Sequence, residues 1–127
     1  MGASRWDRPV RAVVIDDTPD IRELLTLVLT RSGMEVVGAA ADGLAGVDLV
    51  RAQRPDVVLL DLAMPVMDGV EALPLIRELV PEGRIIVLSA FAGAMSQQML
   101  DAGADGYLEK GTPLKQIVAY IEASLTD

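Results

Sequence analysis

Four short runs of mostly β-branched residues decide what this chain can fold into: Val13-Val14-Ile15, Val36-Val37, Val57-Val58-Leu59-Leu60 and Ile85-Ile86-Val87-Leu88. Each is apolar without a break. Strands buried on both faces read this way, as in a parallel sheet covered by helices, whereas a strand wetted on one face alternates apolar and polar. A fifth, weaker run is Gly106-Tyr107-Leu108. Between the runs, apolar residues recur at helical spacing: Ile21, Leu24, Leu25 and Val28 in one segment, and Leu114, Ile117, Val118 and Ile121 in another. Shorter patterns are Leu44, Val47 and Val50; Val70, Leu73, Ile76 and Val80; and Met95 with Met99. Helix punctuation agrees, with starts at Asp17-Thr18-Pro19 and Thr112-Pro113 and stops at Ser32-Gly33 and Gly103. Strand and helix thus alternate five times. Right-handed crossovers turn that alternation into an α/β fold: a doubly wound, five-stranded parallel sheet with helices on both faces. Pro74 is a local conflict. It lies a few residues inside a helical segment, where it removes a donor and crowds the preceding turn, so a late helix start or a kink is expected there.

Composition narrows the chemistry. The chain of 127 residues has no Cys and no His. Thiol nucleophiles, Ser–His pairs and disulfides are therefore impossible, and most zinc sites are excluded. What remains is carboxylates, Lys, hydroxyls and backbone. With 11 Lys+Arg against 19 Asp+Glu, the net charge of −8 argues against direct nucleic-acid binding, which needs basic patches. Met1 to Pro9 is short and polar around one Trp, unlike a signal peptide, and the apolar runs are far too short to span a bilayer. No membrane association and a cytoplasmic location are expected.

Ligands of open parallel sheets sit beyond the carboxyl ends of the strands. The first strand ends in Asp16-Asp17, the third in Asp61 and the fourth in Ser89-Ala90, and the fifth is followed by Lys110. Alone, each has an ordinary explanation: a helix cap for Asp17, a loop cap for Asp61, a turn hydroxyl for Ser89, a solvated charge for Lys110. Together at one sheet edge they point to a site. Three carboxylates at close quarters repel and raise each other's pKa unless a cation sits among them. Oxygen ligands favour a hard cation, and few ligands with room for water favour Mg²⁺ over Ca²⁺. A carboxylate beside such a cation and a Lys can attack phosphorus to form an aspartyl phosphate.

The stretch Asp61-Leu62-Ala63-Met64-Pro65-Val66-Met67-Asp68-Gly69 resembles the phosphoacceptor loop of response-regulator receiver domains from two-component signalling. Val14-Ile15-Asp16-Asp17, Val87-Leu88-Ser89-Ala90 and Ala102 through Lys110 fall where that family has its other marks. The resemblance implies a flavodoxin-like sheet of order 2-1-3-4-5, with an N-terminal extension over 1–9 and the receiver domain over 10–127. It implies Asp61 as phosphoacceptor, with Lys110 pairing with the phosphoryl group and Ser89 hydrogen-bonding it. Ser89 and Tyr107 would be the switch residues. Mg²⁺, for which Mn²⁺ can substitute, would be bound by Asp17, Asp61 and the carbonyl of Ala63, with Asp16 acting largely through water. A sensor histidine kinase or phosphotransfer protein would supply the phosphoryl group. The reporting surface would include Met95, Gln97, Gln98, Met99, Tyr107, Lys115 and Tyr120, with core packing an equal alternative for the two methionines.

Gly111 follows the Lys where many receivers have a proline, so the cis bond of those receivers cannot form here. This pattern resembles receivers fused to LuxR-type DNA-binding domains, which would place such an effector C-terminal to this chain. Homodimers through helices four and five, or one and five, are both compatible. The resemblance places Ala63 and Phe91 where the family tunes hydrolysis of the acyl phosphate; both are apolar, so neither side chain can orient a water, and slow autodephosphorylation is expected. Two other functions compete. A receiver-fold interaction module working without phosphorylation would not need the intact set Asp16, Asp17, Asp61, Ser89 and Lys110. An aspartyl phosphatase would need a second Asp two residues after its nucleophile, where this chain has Ala63. A signalling receiver that catalyses its own phosphorylation and slow autodephosphorylation, and no turnover of another substrate, is the expectation.

Overall fold

A computed structural model describes residues 8–91 and 93–125. Most of the expected N-terminal extension, residues 1–7, lies outside the described residues. Five strands, β1 (Arg11–Ile15), β2 (Glu35–Ala40), β3 (Val57–Asp61), β4 (Arg84–Ser89) and β5 (Gly106–Glu109), alternate with five helices. The helices are α1 (Pro19–Arg31), α2 (Gly43–Gln53), α3 (Gly69–Leu79), α4 (Ser96–Asp101) and α5 (Leu114–Ser124). All pairings are parallel and the strand order is β2-β1-β3-β4-β5, as expected.

Each strand divides its side chains between two cores, because successive residues point to opposite faces. Val13, Ile15, Val58, Leu60, Ile85 and Val87 meet α2, α3 and α4 through Val47, Val50, Leu73, Ile76 and Met99. Ala12, Val14, Val57, Leu59, Ile86 and Leu88 meet α1 and α5 through Leu25, Leu29, Ile117 and Ile121. The buried faces explain why β1, β3 and β4 carry unbroken apolar runs. β2 and β5 are the sheet edges, are only partly buried, and carry the weaker signals. Met99 belongs to the core and Met95 packs against it from a half-buried position. Tyr120 is exposed at 38%, yet its ring lies against Gly106, where an added Cβ would come within 2.4 Å of it.

The helix at Pro74 does not start late. α3 begins at Gly69, where Asp68 caps it by accepting from the Glu71 N–H at 2.9 Å, and its helical backbone continues through Pro74. Pro74 is exposed, so the carbonyl that loses its partner, that of Val70, lies on the wetter side of the helix.

The amino edge of the sheet is tied by arginines. Arg11 donates to the Gln53 carbonyl at 2.7 Å, Arg54 to that of Leu79 at 2.7 Å and Arg84 to that of Ser124 at 2.6 Å. These are C-terminal carbonyls of α2, α3 and α5, which a helix cannot satisfy itself. Arg77 reaches the carbonyls of Gly103, Val80, Pro81 and Gly83 and also pairs with Asp105 at 2.9 Å. Asp56 receives both ends of the Arg8 guanidinium and the Arg11 backbone N–H. Burial would raise its pKa, but these donors outweigh it and hold the carboxyl below the usual aspartate range.

Candidate phosphoacceptor site

The opposite edge is acidic. β1 delivers Asp16 (2% exposed) and the exposed Asp17, and β3 ends in Asp61 (3% exposed). One carboxylate oxygen from each of the three lies within 4.8 Å of the others. Asp17 is not a helix cap. The N-cap of α1 is Thr18, whose N–H is held by Asp16 Oδ1 at 2.9 Å. Lys110 enters from the end of β5, steered by its own N–H, which donates to the Ser89 carbonyl at 2.8 Å. Its Nζ stands 3.1 Å from Asp16 Oδ2 and 3.0 Å from Asp61 Oδ2. The ammonium is close to Asp61 Oδ2 but is not aligned on it, and that buried oxygen has no hydrogen-bond partner among the described residues.

These contacts set the ionisation. Burial of Asp61, reinforced by the charges of Asp16 and Asp17, holds its pKa above the ordinary aspartate value against the pull of Lys110. For Lys110, burial opposes the charged form, but Asp61 and Asp16 outweigh it and raise its pKa. Carboxylate oxygens within 4.8 Å of one another, on three acids of which Asp16 and Asp61 share one ammonium, fit a hard divalent cation.

Ser89 is fully buried and its Oγ accepts from the Phe91 N–H at 2.9 Å. The Tyr107 hydroxyl donates to the Phe91 carbonyl, also at 2.9 Å. The two residues expected to switch therefore hold opposite sides of one residue in the β4–α4 loop. Tyr107 itself stays outside the carboxylate cluster. Ala63 is exposed and, with Met64, Asp68 and Phe91, lines a cleft of about 470 Å³ that Asp17 borders. Met64 and Met67 pack against the core.

Some supporting residues were not foreseen. Arg22 of α1 donates to the Asp16 carbonyl at 2.8 Å and fixes the turn between the two acids. Gly43 of α2 donates its N–H to the Met67 carbonyl at 2.8 Å. Neither has a signal in apolar spacing, since one acts through a long side chain and the other through its backbone.

The family model for the response regulator receiver domain matches residues 12–122. The chain belongs to that family. The receiver is 40% identical over 119 residues to the response regulator MprA of Mycobacterium sp. (strain KMS), covering 92% of this chain and 51% of that protein. A two-component response regulator of the LuxR family from Aurantimonas sp. SI85-9A1 superposes with a TM-score of 0.84 at 34% identity, covering 93% of this chain and 86% of that one. CheY in the CheX–CheY–BeF3–Mg complex from Borrelia burgdorferi superposes with a TM-score of 0.89 at 26% identity, covering 94% and 91%. The receiver spans about a quarter to a half of the curated relatives it matches. Among the described residues, no helix is long and apolar enough to cross a membrane.

Proposed function

We propose that this receiver takes a phosphoryl group onto Asp61 from the phosphohistidine of a sensor kinase or phosphotransfer protein, and that the modification changes its contacts with a partner or effector. The observation that carries this reading is Asp61 Oδ2: buried, without a hydrogen bond among the described residues, 3.0 Å from the Lys110 ammonium that also meets Asp16, and clustered with the carboxylates of Asp16 and Asp17. An oxygen in that state is an unused nucleophile in a site built to gather positive charge. An Asp61 oxygen attacks phosphorus, the bond from phosphorus to the donor nitrogen breaks, and the imidazole leaves with the electron pair. This chain has no His and so cannot be the donor.

Asp17, Asp61 and the Ala63 carbonyl would hold Mg²⁺, or Mn²⁺ in its place, with Asp16 largely through water; the cation supplies charge neutralisation at the phosphoryl oxygens. Lys110 stabilises the same oxygens from its own side. Ser89 turns to donate its hydroxyl to a phosphoryl oxygen, the movement draws on its contact with the Phe91 N–H, and Tyr107, bonded to the Phe91 carbonyl, follows. The added charge of about −1.5 to −2 biases the receiver toward that second arrangement.

We assign residues 10–127 to the receiver and 1–9 to an extension, in a cytoplasmic protein with no direct nucleic-acid contact through this domain. The LuxR-family neighbour supports an effector of that type following the receiver. Pairing of two receivers through α4 and α5, or through α1 and α5, remains part of the proposal. The test is intact mass after incubation with Mg²⁺ and acetyl phosphate or a cognate kinase. One phosphoryl adduct, absent in Asp61→Asn, is the expected result. No adduct with any donor would favour a module that works unphosphorylated.

A further inference from the structure

The loop from Asp61 to α3 contains a strained turn. The Met67 N–H donates to the Pro65 carbonyl at 2.7 Å, closing a γ-turn centred on Val66 at φ +67. This is the rare positive-φ form, and a β-branched residue is especially disfavoured in it. The Val66 side chain is 77% exposed and packs on little that could hold it there. Such a conformation persists only where its surroundings over-determine it.

Two glycines supply the hold. On the α3 side, Gly69 donates to the Leu62 carbonyl at 2.8 Å, and a Cβ there would lie 2.2 Å from the Asp61 carbonyl oxygen. On the other side is α2, which contributes no side chain to the site. Gly43, its first residue, donates to the Met67 carbonyl at 2.8 Å, and a Cβ on it would lie 2.2 Å from that oxygen and 2.8 Å from its carbon. Those are backbone atoms, so the helix or the loop would have to move. One turn on, Gly46 lies against Ile15, the residue before Asp16, where a Cβ would come within 2.7 Å of Ile15 Cδ1. Residues three apart share a helix face. The first turn of α2 thus bears on the end of β1, beside Asp16, and on the loop that follows Asp61. Asp42 fixes that turn by accepting from the Ala45 N–H at 2.8 Å.

We infer that Gly43 is a positioning residue for the cation site: by letting α2 reach the Met67 carbonyl, it fixes the loop that presents Ala63 opposite Asp16 and Asp17. The inference rests on the proposed reading of the three carboxylates and Ala63 as a divalent-cation site. It gives α2, remote from the phosphoryl chemistry, a role in metal affinity.

Isothermal titration of Mg²⁺ into the parent protein, Gly43→Ala and Gly33→Ala tests it. Gly33 lies after α1 at φ +97 with nothing within 4 Å of a Cβ, so its substitution strains the fold at the opposite edge without touching the site. Gly43→Ala should bind Mg²⁺ roughly 10- to 100-fold more weakly, the usual loss when a group supporting a metal ligand is disturbed. Gly33→Ala should lose thermal stability and bind as the parent does. Gly43→Ala binding within twofold of the parent overturns the inference and leaves the site reading intact. Failure of the parent to bind Mg²⁺ overturns both. If Gly43→Ala does not fold, amide exchange of the parent decides. With Mg²⁺ at ten times its Kd, Gly43 exchange should slow about tenfold, and that of Arg54, at the far end of the same helix, should not. An unchanged Gly43 rate overturns the inference.

Discussion

Replacing Asp61 with Asn should make the metal-free protein more stable at neutral pH. Asp61 binds its proton more tightly in the folded chain than in the unfolded one, because burial and the neighbouring acids raise its pKa. Its favourable contribution is therefore complete below the ordinary aspartate pKa of about 3.9 and is lost as pH rises through the higher folded value. At neutral pH the folded protein carries the full penalty. A buried charged oxygen without a hydrogen bond costs upward of about 1–3 kcal/mol, and Asp16 and Asp17 add repulsion from within 4.8 Å. Against this, Asn gives up the attraction of Lys110 at 3.0 Å, although Lys110 keeps Asp16 at 3.1 Å. The net gain is about 1–2 kcal/mol, or a rise in Tm of about 3–8 °C for a chain of this length. Thermal melts followed by circular dichroism in EDTA, at pH about 7.5 and again below 4, give the comparison. The gap should be present at the first pH and vanish at the second. Mg²⁺ should then raise the Tm of the parent and leave the variant nearly unmoved. A variant that melts below the parent in EDTA at neutral pH would refute the reasoning, since the Lys110 pair would then outweigh burial and repulsion.

Three further outcomes are expected. Lys110→Met should tighten Mg²⁺ binding in a calorimetric titration, because the ammonium competes for the same carboxylate oxygens, while slowing phosphorylation by acetyl phosphate. Phe91→Ala should shorten the lifetime of the phosphorylated protein by admitting water to the cleft; a short lifetime in the parent would show that Phe91 does not shield Asp61. Arg77→Leu should cost about 2–4 kcal/mol in urea unfolding at an unchanged m-value, because it removes one guanidinium shared by four carbonyls and Asp105.

The central strands were legible because burial on both faces writes a continuous apolar run, and β3, fully buried, gave the clearest one. The edges were fainter for the same reason: β2 continues past Val36-Val37 through Gly38-Ala39-Ala40, residues that say little by themselves. α4 was the least legible helix. Only Ser96–Asp101 are helical, Met95 is the residue before it, and Met99 alone is fully buried. Pro74 suggested a late start or a kink because a proline's local cost is visible in sequence, whereas the Asp68 cap and the Gly69 contact that fix the start depend on where the loop folds back. The acids of the site were legible as strand ends. What surrounds them was not: Ser89 and Tyr107 meet through the backbone of Phe91, and Arg22 and Gly43 act on carbonyls, a currency that side-chain spacing does not record.

The arginine ties at the amino edge have a mechanical consequence. Arg77 holds the Gly103 carbonyl just beyond α4, so on the proposed switch that end of the helix would be a pivot, while its other end joins the loop carrying Phe91. Six helical residues make a lever only about 9 Å long. A displacement of about 2 Å at the free end turns such a lever by roughly 13°. On the proposed switch, movements too small to disturb the sheet would thereby be read out as an angle, and the shortness of α4 would set the gain.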